Sequence, residues 1–117
     1  MASATMASAP IRPRFSPMGR ISDRLVDLGL DLPPPLAPPP GIVLPFRLGR
    51  GVGDRAIVSG PGPQAPDGSV GGPRGRVPDE VSVAEAYRSA RSTGLSILAD
   101  LHRALGDLDR MTAWCRV

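Results

Sequence analysis

The sequence contains no lysine, so all 14 of its basic residues are arginines. Residues 1–22 carry three of them and no acidic residue, whereas residues 23–117 carry equal numbers of arginines and acidic residues. The net charge of +3 therefore belongs to the amino-terminal tail. A nucleic-acid module needs basic side chains and stacking aromatics on one folded face. Because the chain has only four aromatic residues, we expect no nucleic-acid partner.

Cysteine and histidine are equally scarce, with one residue of each. Cys115 alone excludes an internal disulfide and a cysteine-based metal cluster, and His102 alone cannot build a histidine-based site. We interpret Cys115 as a small buried apolar residue and His102 as a residue on the surface of a helix. We therefore expect no metal in this protein.

Long apolar runs are absent too, since no segment approaches the ~18 apolar residues of a transmembrane helix. We expect no membrane partner and a cytoplasmic location. The amino-terminal segment is rich in Ala and Ser and free of acids, as in organelle transit peptides, but it lacks the apolar core of a secretory signal. We interpret residues 1–20 as a disordered extension, or as the product of a start codon upstream of a true start at Met6 or Met18.

Proline and glycine, in contrast, are abundant, with 15 prolines and 14 glycines. Six prolines lie in residues 33–40, which predicts an extended polyproline segment. A ligand for an SH3-like groove and a stiff spacer both fit this segment, and we favour the spacer. Before it, residues 21–30 predict a short helix, with Ser22 as its N-cap and Gly29 as its left-handed stop. We interpret residues 21–41 as the lead-in to a domain.

The domain predicted at residues 42–117 begins with a β-hairpin. Residues 42–48 have strand composition, and Pro45 places that strand at an edge of the sheet, while residues 55–59 form the second strand. The link between them, GRGVGD, resembles a Gly-rich phosphate loop, but such a loop needs a helix directly after it. A strand follows instead, so we interpret the link as a turn and expect no nucleotide cofactor.

The strongest local pattern predicts a long helix from Ser82 to about Leu105. Ser82 and Glu85 form a capping box at its start, and Gly106 ends it. Apolar and small side chains recur at three- and four-residue spacing, which predicts the face that packs on the sheet. They are Val83, Tyr87, Ala90, Gly94, Ile97, Leu98, Leu101 and Leu105.

Two further segments flank this helix. Residues 60–78 predict an irregular loop with a turn at Asp67-Gly68. Residues 110–117 alternate apolar and polar side chains, which predicts a strand beside the hairpin. Because the alternation stops on the apolar Val117, we expect the domain to be cut off there.

The order and spacing of these motifs resemble the RidA/YjgF family, in particular its branch with a longer amino terminus. The resemblance covers residues 24–117. Its motifs are Arg24-Leu25, Leu28-Gly29-Leu30, Leu32-Pro33, Gly53-Asp54, Ile57-Val58-Ser59-Gly60, Gly62-Pro63, Asp67-Gly68, Gly75-Arg76-Val77, Val81 to Tyr87, Ala90-Arg91, Leu95, Leu98-Ala99 and Leu105 to Arg110. A structure in which residues 82–105 are not helical, or residues 110–117 do not pair with the hairpin, would count decisively against the family.

The resemblance implies an α+β, chorismate-mutase-like fold with a helix packed on one face of a mixed sheet. It implies a homotrimer for the complete domain and a small-molecule imine, enamine or keto acid as ligand. Members of the family hydrolyse reactive enamines and imines without a metal or a cofactor. An arginine pairs with the substrate carboxylate and a second carboxylate positions water. Both groups belong to later strands of the family, so no residue of this chain is assigned a catalytic role.

The resemblance also implies three ligand-binding residues. Gly60 matches the family glycine whose backbone faces the ligand, and Ser59 precedes it. Phe46 stands where the family usually has a tyrosine, so the ring is kept and the hydroxyl is lost.

Two functions remain open at this point. The chain is either the front part of an enamine/imine hydrolase, inactive in this truncated form, or a non-catalytic module that binds small carboxylates or partner chains. The lost hydroxyl at Phe46 favours the second. A third reading, a proline-rich adaptor, depends on residues 33–40 alone.

Overall fold

The structure, a computed structural model, describes residues 19–117. Of the extension predicted to be disordered, residues 1–20, all but Gly19 and Arg20 lie outside this range. The elements are α1 (Arg20–Asp27), β1 (Gly49–Val52), β2 (Arg55–Val58), α2 (Val83–Leu105) and a 3-10 turn at Leu108–Arg110. The fold is therefore α+β. The described residues form two compact units, one of residues 19–31 and 106–117 and the other of residues 32–105.

In the first unit, a side chain of the 3-10 turn caps the start of α1. The carboxylate of Asp109 accepts hydrogen bonds from the backbone N–H groups of Arg20, at 2.7 Å, and of Ile21, at 3.0 Å. Asp107 in turn accepts a hydrogen bond from the N–H of Asp109, at 2.9 Å. Ser22, the predicted N-cap, is buried inside the helix, so that prediction is wrong. A carboxylate that is distant in sequence takes the place of the local cap.

The carboxyl end of α1 follows the sequence prediction. Gly29 has a φ of +68°, in the left-handed region that favours glycine. Its N–H donates to the carbonyl of Val26, and the N–H of Leu30 donates to the carbonyl of Leu25, both at 2.9 Å. This pair of bonds is a Schellman motif, which satisfies carbonyls that the ending helix leaves free.

The second unit contains the hairpin of β1 and β2. The strands are antiparallel, with Gly49 opposite Val58 and Val52 opposite Arg55, so the turn between them has two residues. Its first residue, Gly53, has a φ of +61°, as a type II′ turn requires. The second strand is confirmed, and of the link predicted as a turn only its last two residues, Gly53 and Asp54, form one.

The first strand of this hairpin was predicted in the wrong place. Residues 42–48 form no strand, and β1 lies within the segment interpreted as a link. The two-residue turn pairs the residues directly before it with β2, so the turn sets the register and strand composition does not. Pro45 has no N–H to contribute to a ladder.

Helix α2 begins as predicted. The N–H of Glu85 donates to the hydroxyl of Ser82 at 3.1 Å, and the N–H of Ser82 donates to the carboxylate of Glu85 at 3.0 Å. The pKa of Glu85 lies below its ordinary value, because the N–H of Ser82 and its hydroxyl, at 2.9 Å, both donate to the carboxylate and favour its charged form. The predicted capping box and the predicted long helix are both confirmed.

The buried face of α2 agrees with the predicted one only in its carboxyl-terminal half, where the stripe residue Leu101 is buried. Val83, Tyr87 and Ala90 lie on the predicted apolar stripe but are exposed, Tyr87 by 73%. The buried residues of the helix are Ser96, Ala99, Asp100 and Leu101. The helix packs against both strands of the hairpin. A Cβ added at Gly49 would lie 2.9 Å from the carbonyl oxygen of Asp100, so small residues permit a backbone approach that large apolar ones would prevent.

The segment after the 3-10 turn is also different from the prediction. Residues 111–117 have no regular secondary structure, and the sheet has two strands within the described residues. The predicted strand at residues 110–117 is therefore wrong, and Cys115, which was interpreted as buried, is exposed. An alternating pattern forms a strand only where a neighbouring edge accepts its hydrogen bonds.

The proline-rich segment is hydrogen-bonded to the loop of residues 63–73 in the second unit. The turn predicted at Asp67-Gly68 is confirmed, since the N–H of Gly68 donates to the carbonyl of Ala65 at 2.9 Å. The N–H of Ala37 donates to the carbonyl of Gly68 at 3.0 Å, and the Gln64 side-chain amide donates to the carbonyl of Pro34 at 2.9 Å. This segment is therefore packed on the domain rather than only leading to it.

Candidate functional site

An open cavity of about 720 Å³ lies between β1 and the carboxyl-terminal part of α2, within the second unit. Two of the four residues of β1, Gly49 and Gly51, have no side chain, and both line the cavity. The lining residues are Pro35, Arg47, Leu48, Gly49, Arg50, Gly51, Asp100, Arg103 and Ala104. Three arginines against one aspartate leave an excess of positive charge around the cavity.

Two of the three arginines are available to a ligand. Arg47 and Arg50 are exposed, and their guanidinium groups form no ion pair with another described residue. A guanidinium presents its N–H donors in a planar fork that matches the two oxygens of a carboxylate. The cavity therefore offers the groups that bind small anions, with carboxylates and phosphates as candidates.

The third arginine is already engaged. Its Nη2 lies 2.6 Å from Oδ1 of Asp100, and its Nη1 donates to the carbonyl of Pro33 at 3.2 Å. Arg103 thus joins α2 to the proline-rich segment. Its role at the cavity is to position Asp100, because its own donors point to protein acceptors.

Asp100 is the unusual group in this cavity. The residue is 2% exposed, and its Oδ2 is buried without a hydrogen-bond partner. A buried carboxylate oxygen that loses water without gaining a donor costs free energy, on the order of 1–3 kcal/mol for a neutral group and more for a charged one. Asp100 is not part of the apolar stripe predicted from the sequence, so only the packing of β1 on α2 reveals its burial.

The three residues expected to bind ligand lie beside this cavity and not in it. The hydroxyl of Ser59 donates to the carbonyl of Arg47 at 2.6 Å, and its N–H donates to the carbonyl of Leu48 at 2.8 Å. Ser59 is therefore next to cavity-lining residues, but its hydroxyl is already used. Gly60 and Phe46 are exposed, and Phe46 adjoins Arg47 in the chain.

A second open cavity, of about 350 Å³, lies between the loop of residues 63–73 and the first turns of α2. Glu85 and Arg88 are among its lining residues. The Glu85 carboxylate is held in the capping box, so it cannot serve a ligand without releasing the helix start. This cavity is the weaker candidate.

No group of three or more His, Cys, Asp or Glu side chains within residues 19–117 is arranged to hold a metal ion. Over the same range, no helix combines the length and the apolarity needed to cross a bilayer.

Comparison with known proteins finds no relative of this chain. No protein-family model, no curated protein and no solved structure matches the chain. The cavity and its residues are therefore the basis for inferring function.

Proposed function

We propose that this chain binds small carboxylates, such as keto acids, in the cavity lined by Arg47, Arg50 and Asp100, and that it does not hydrolyse imines by itself. The observation that carries the proposal is the pair of exposed guanidinium groups, at Arg47 and Arg50, that line a concave surface and form no ion pair within residues 19–117. Each charge-assisted hydrogen bond to such a ligand contributes about 1.5–3 kcal/mol.

The RidA/YjgF resemblance, with its chorismate-mutase-like fold, homotrimer and cytoplasmic location, stays an expectation from the sequence and does not carry this proposal. The ordered motifs, the hairpin and the long helix support it. Residues 110–117 form no strand beside the hairpin, which is the outcome named above as decisive against the family. Carboxylate binding does not depend on the family, since it is argued from the cavity alone.

Imine hydrolysis is the less supported function. The Ser59 hydroxyl is bonded to a backbone carbonyl, and Phe46 carries no hydroxyl, so the expected ligand site offers no acid or base group. An ammonia-release assay with a freshly generated 2-aminoacrylate-type enamine should give no rate above background. Turnover above background would contradict this part of the proposal.

Titration of the full chain with pyruvate, followed by calorimetry or by amide NMR shifts, tests carboxylate binding. The variant Arg50→Gln should weaken binding about tenfold, because one charge-assisted contact is lost. Arg55→Gln is the matched control, since it removes the same charge from the hairpin outside the cavity. Equal weakening by both variants, or no binding of pyruvate to the unaltered chain at millimolar concentration, would overturn the proposal.

A further inference from the structure

The cavity lies beside an edge of β1 that no other strand in the described part of the chain covers. Its lining includes Gly49, Arg50 and Gly51 of β1 and no residue of β2, so it lies on the side of β1 away from its partner strand. The N–H of Ser59 donates to the carbonyl of Leu48 at 2.8 Å, directly before the first residue pair of the ladder. Because the bonds of an antiparallel ladder alternate, Arg50 bonds with β2, whereas the N–H and C=O groups of Gly49 and Gly51 point away from it.

The outward backbone groups of the two glycines are open to a partner. No described residue forms a hydrogen bond with them. Gly51 is exposed, and neither glycine places a side chain between the edge and an incoming chain. An edge with unpaired N–H and C=O groups is a template for an extended segment, which adds as a further strand through main-chain hydrogen bonds.

The charges beside this edge select among such segments. Arg47 and Arg50 are exposed and form no ion pair with another described residue, whereas Asp100 is 2% exposed. A residue directly opposite Arg50 in an added strand would have its Cβ about 5 Å away, so an acidic side chain is favoured there and a basic one is disfavoured. The lining also includes Leu48 and Ala104, which suit small apolar side chains at alternate positions.

A second copy of this chain fits the edge less well. In the antiparallel register that pairs Gly49 of each copy with Gly51 of the other, Arg50 lies directly opposite Arg50 of the other copy. Like charges in that position are destabilising. The occupant that the charges favour is therefore an acidic segment of another protein.

We propose that an extended peptide segment of a partner protein adds to the open edge of β1 as a third strand, with acidic side chains at Arg47 and Arg50 and small apolar ones between them. The inference rests on the proposed carboxylate binding and adds the class of partner that carries the carboxylates. Main-chain bonds to Gly49 and Gly51 supply affinity that a free carboxylate cannot obtain, and the arginines supply the preference for acidic segments.

Calorimetric titration of the full chain with the peptide acetyl-TVEVEVT-amide tests the acidic preference. This peptide should bind at least about tenfold more tightly than glutarate, which has carboxylates but no peptide backbone. Replacing both of its glutamates by glutamine should weaken binding about tenfold, because the charge-assisted contacts are lost. Arg50→Gln should weaken the glutamate peptide similarly, and Arg55→Gln, outside the cavity, is the matched control.

Two N-methylated forms of the same peptide test strand addition. One is methylated at the backbone nitrogens of both glutamates, and the other at those of the second and third valines. Successive N–H groups of a strand point to opposite sides, so only one set can face β1. One form should therefore lose at least about tenfold in affinity and the other should stay within about threefold of the parent peptide.

Proline at Gly51 supplies the protein side of the test, because it removes an N–H group that faces the cavity and contributes nothing to the ladder with β2. Gly51→Pro should reduce affinity for the glutamate peptide at least about tenfold. Ala56→Pro is the matched control, since Ala56 is paired with Gly51 and its N–H points away from the opposite edge of the hairpin. Far-UV circular dichroism checks that both variants fold. Where they do not fold, the N-methylated peptides on the unaltered chain decide the question.

The outcomes separate this inference from the proposed function. Equal binding of the two N-methylated forms, or of the glutamate and glutamine peptides, would overturn the inference and leave pyruvate binding in place. Glutamate-dependent peptide binding without pyruvate binding at millimolar concentration would support the inference and overturn the small-molecule proposal. Absence of binding for every ligand would overturn both. Self-association that Gly51→Pro abolishes and Ala56→Pro does not, measured by sedimentation velocity, would assign the edge to a second copy and overturn the inference.

Discussion

Asp109 shows how one side chain can replace a local helix cap. Its pKa is lowered by hydrogen bonds from the N–H groups of Ile21 and Arg20, which favour the charged carboxylate. Since its pKa in the folded state lies below the unfolded value of about 3.9, the stabilisation is present above that value. It is lost as the pH falls through the lowered pKa.

We therefore expect Asp109→Asn to weaken α1 at neutral pH. The variant should have a lower thermal midpoint at pH 7, and the difference from the unaltered chain should shrink as the pH falls below about 4. Asp27→Asn is the control, because it removes the same charge at the opposite end of the helix. Midpoints measured by circular dichroism across pH check this, and a pH-independent difference would contradict the capping role.

Gly68 is a position where the space, as well as the backbone, demands glycine. Its φ is +89°, and an added Cβ would lie 2.6 Å from the backbone oxygen of Pro35. Gly68→Ala should lower the free energy of unfolding by at least about 1 kcal/mol. Gly62, in the same loop, has open space around an added Cβ and no positive φ. Gly62→Ala should therefore leave the free energy of unfolding unchanged or raise it by up to about 1 kcal/mol. Urea unfolding measures both, and equal effects would argue against the packed loop.

Helix α2 has one feature that the local sequence predicts, its start, and one that depends on tertiary packing, its buried face. The capping box uses residues three positions apart, so local chemistry predicts it. The buried face depends on what the helix packs against: Gly49 of β1 comes close to its backbone, and the buried residues include small side chains, at Ser96 and Ala99, as well as Leu101.

A pair of substitutions tests which face of α2 is buried. Ala99 is 1% exposed, so Ala99→Leu should overpack the contact and lower the free energy of unfolding by about 1–3 kcal/mol. Ala90, on the predicted stripe, is exposed, so Ala90→Leu should change it by less than about 0.5 kcal/mol. Urea unfolding of both variants gives the comparison. The reverse order would restore the predicted stripe as the packed face.

Residues 19–117 bury few large apolar side chains. Within the described residues the buried hydrophobic residues are Leu25, Val81, Ala99, Leu101 and Leu108, while 13 large hydrophobic residues are exposed. A small core leaves little surplus over the conformational entropy lost on folding. We expect the chain to have a free energy of unfolding below about 5 kcal/mol and to self-associate through its exposed apolar surface.

Two substitutions separate core from surface in that prediction. Leu101→Ala should unfold much of the population, because deleting a buried leucine costs about 2–5 kcal/mol. Ile57→Thr, at a residue that is 60% exposed, should leave the urea midpoint almost unchanged and reduce self-association. Sedimentation velocity and urea unfolding measure these effects. A monodisperse chain, or a large loss of stability from Ile57→Thr, would contradict the prediction.

The sequence predicts those features of this protein that depend on neighbouring residues. The capping box at Ser82, the left-handed stop at Gly29 and the turns at Gly53 and Gly68 each follow from side-chain and backbone chemistry within a few positions. The local sequence does not predict the interactions that depend on distant residues. Asp109 caps a helix about 90 positions earlier in the chain, and Asp100 is buried in a part of α2 whose backbone Gly49 of β1 approaches closely. Burial and distant hydrogen bonds depend on which surfaces meet in space, and no local pattern carries that information.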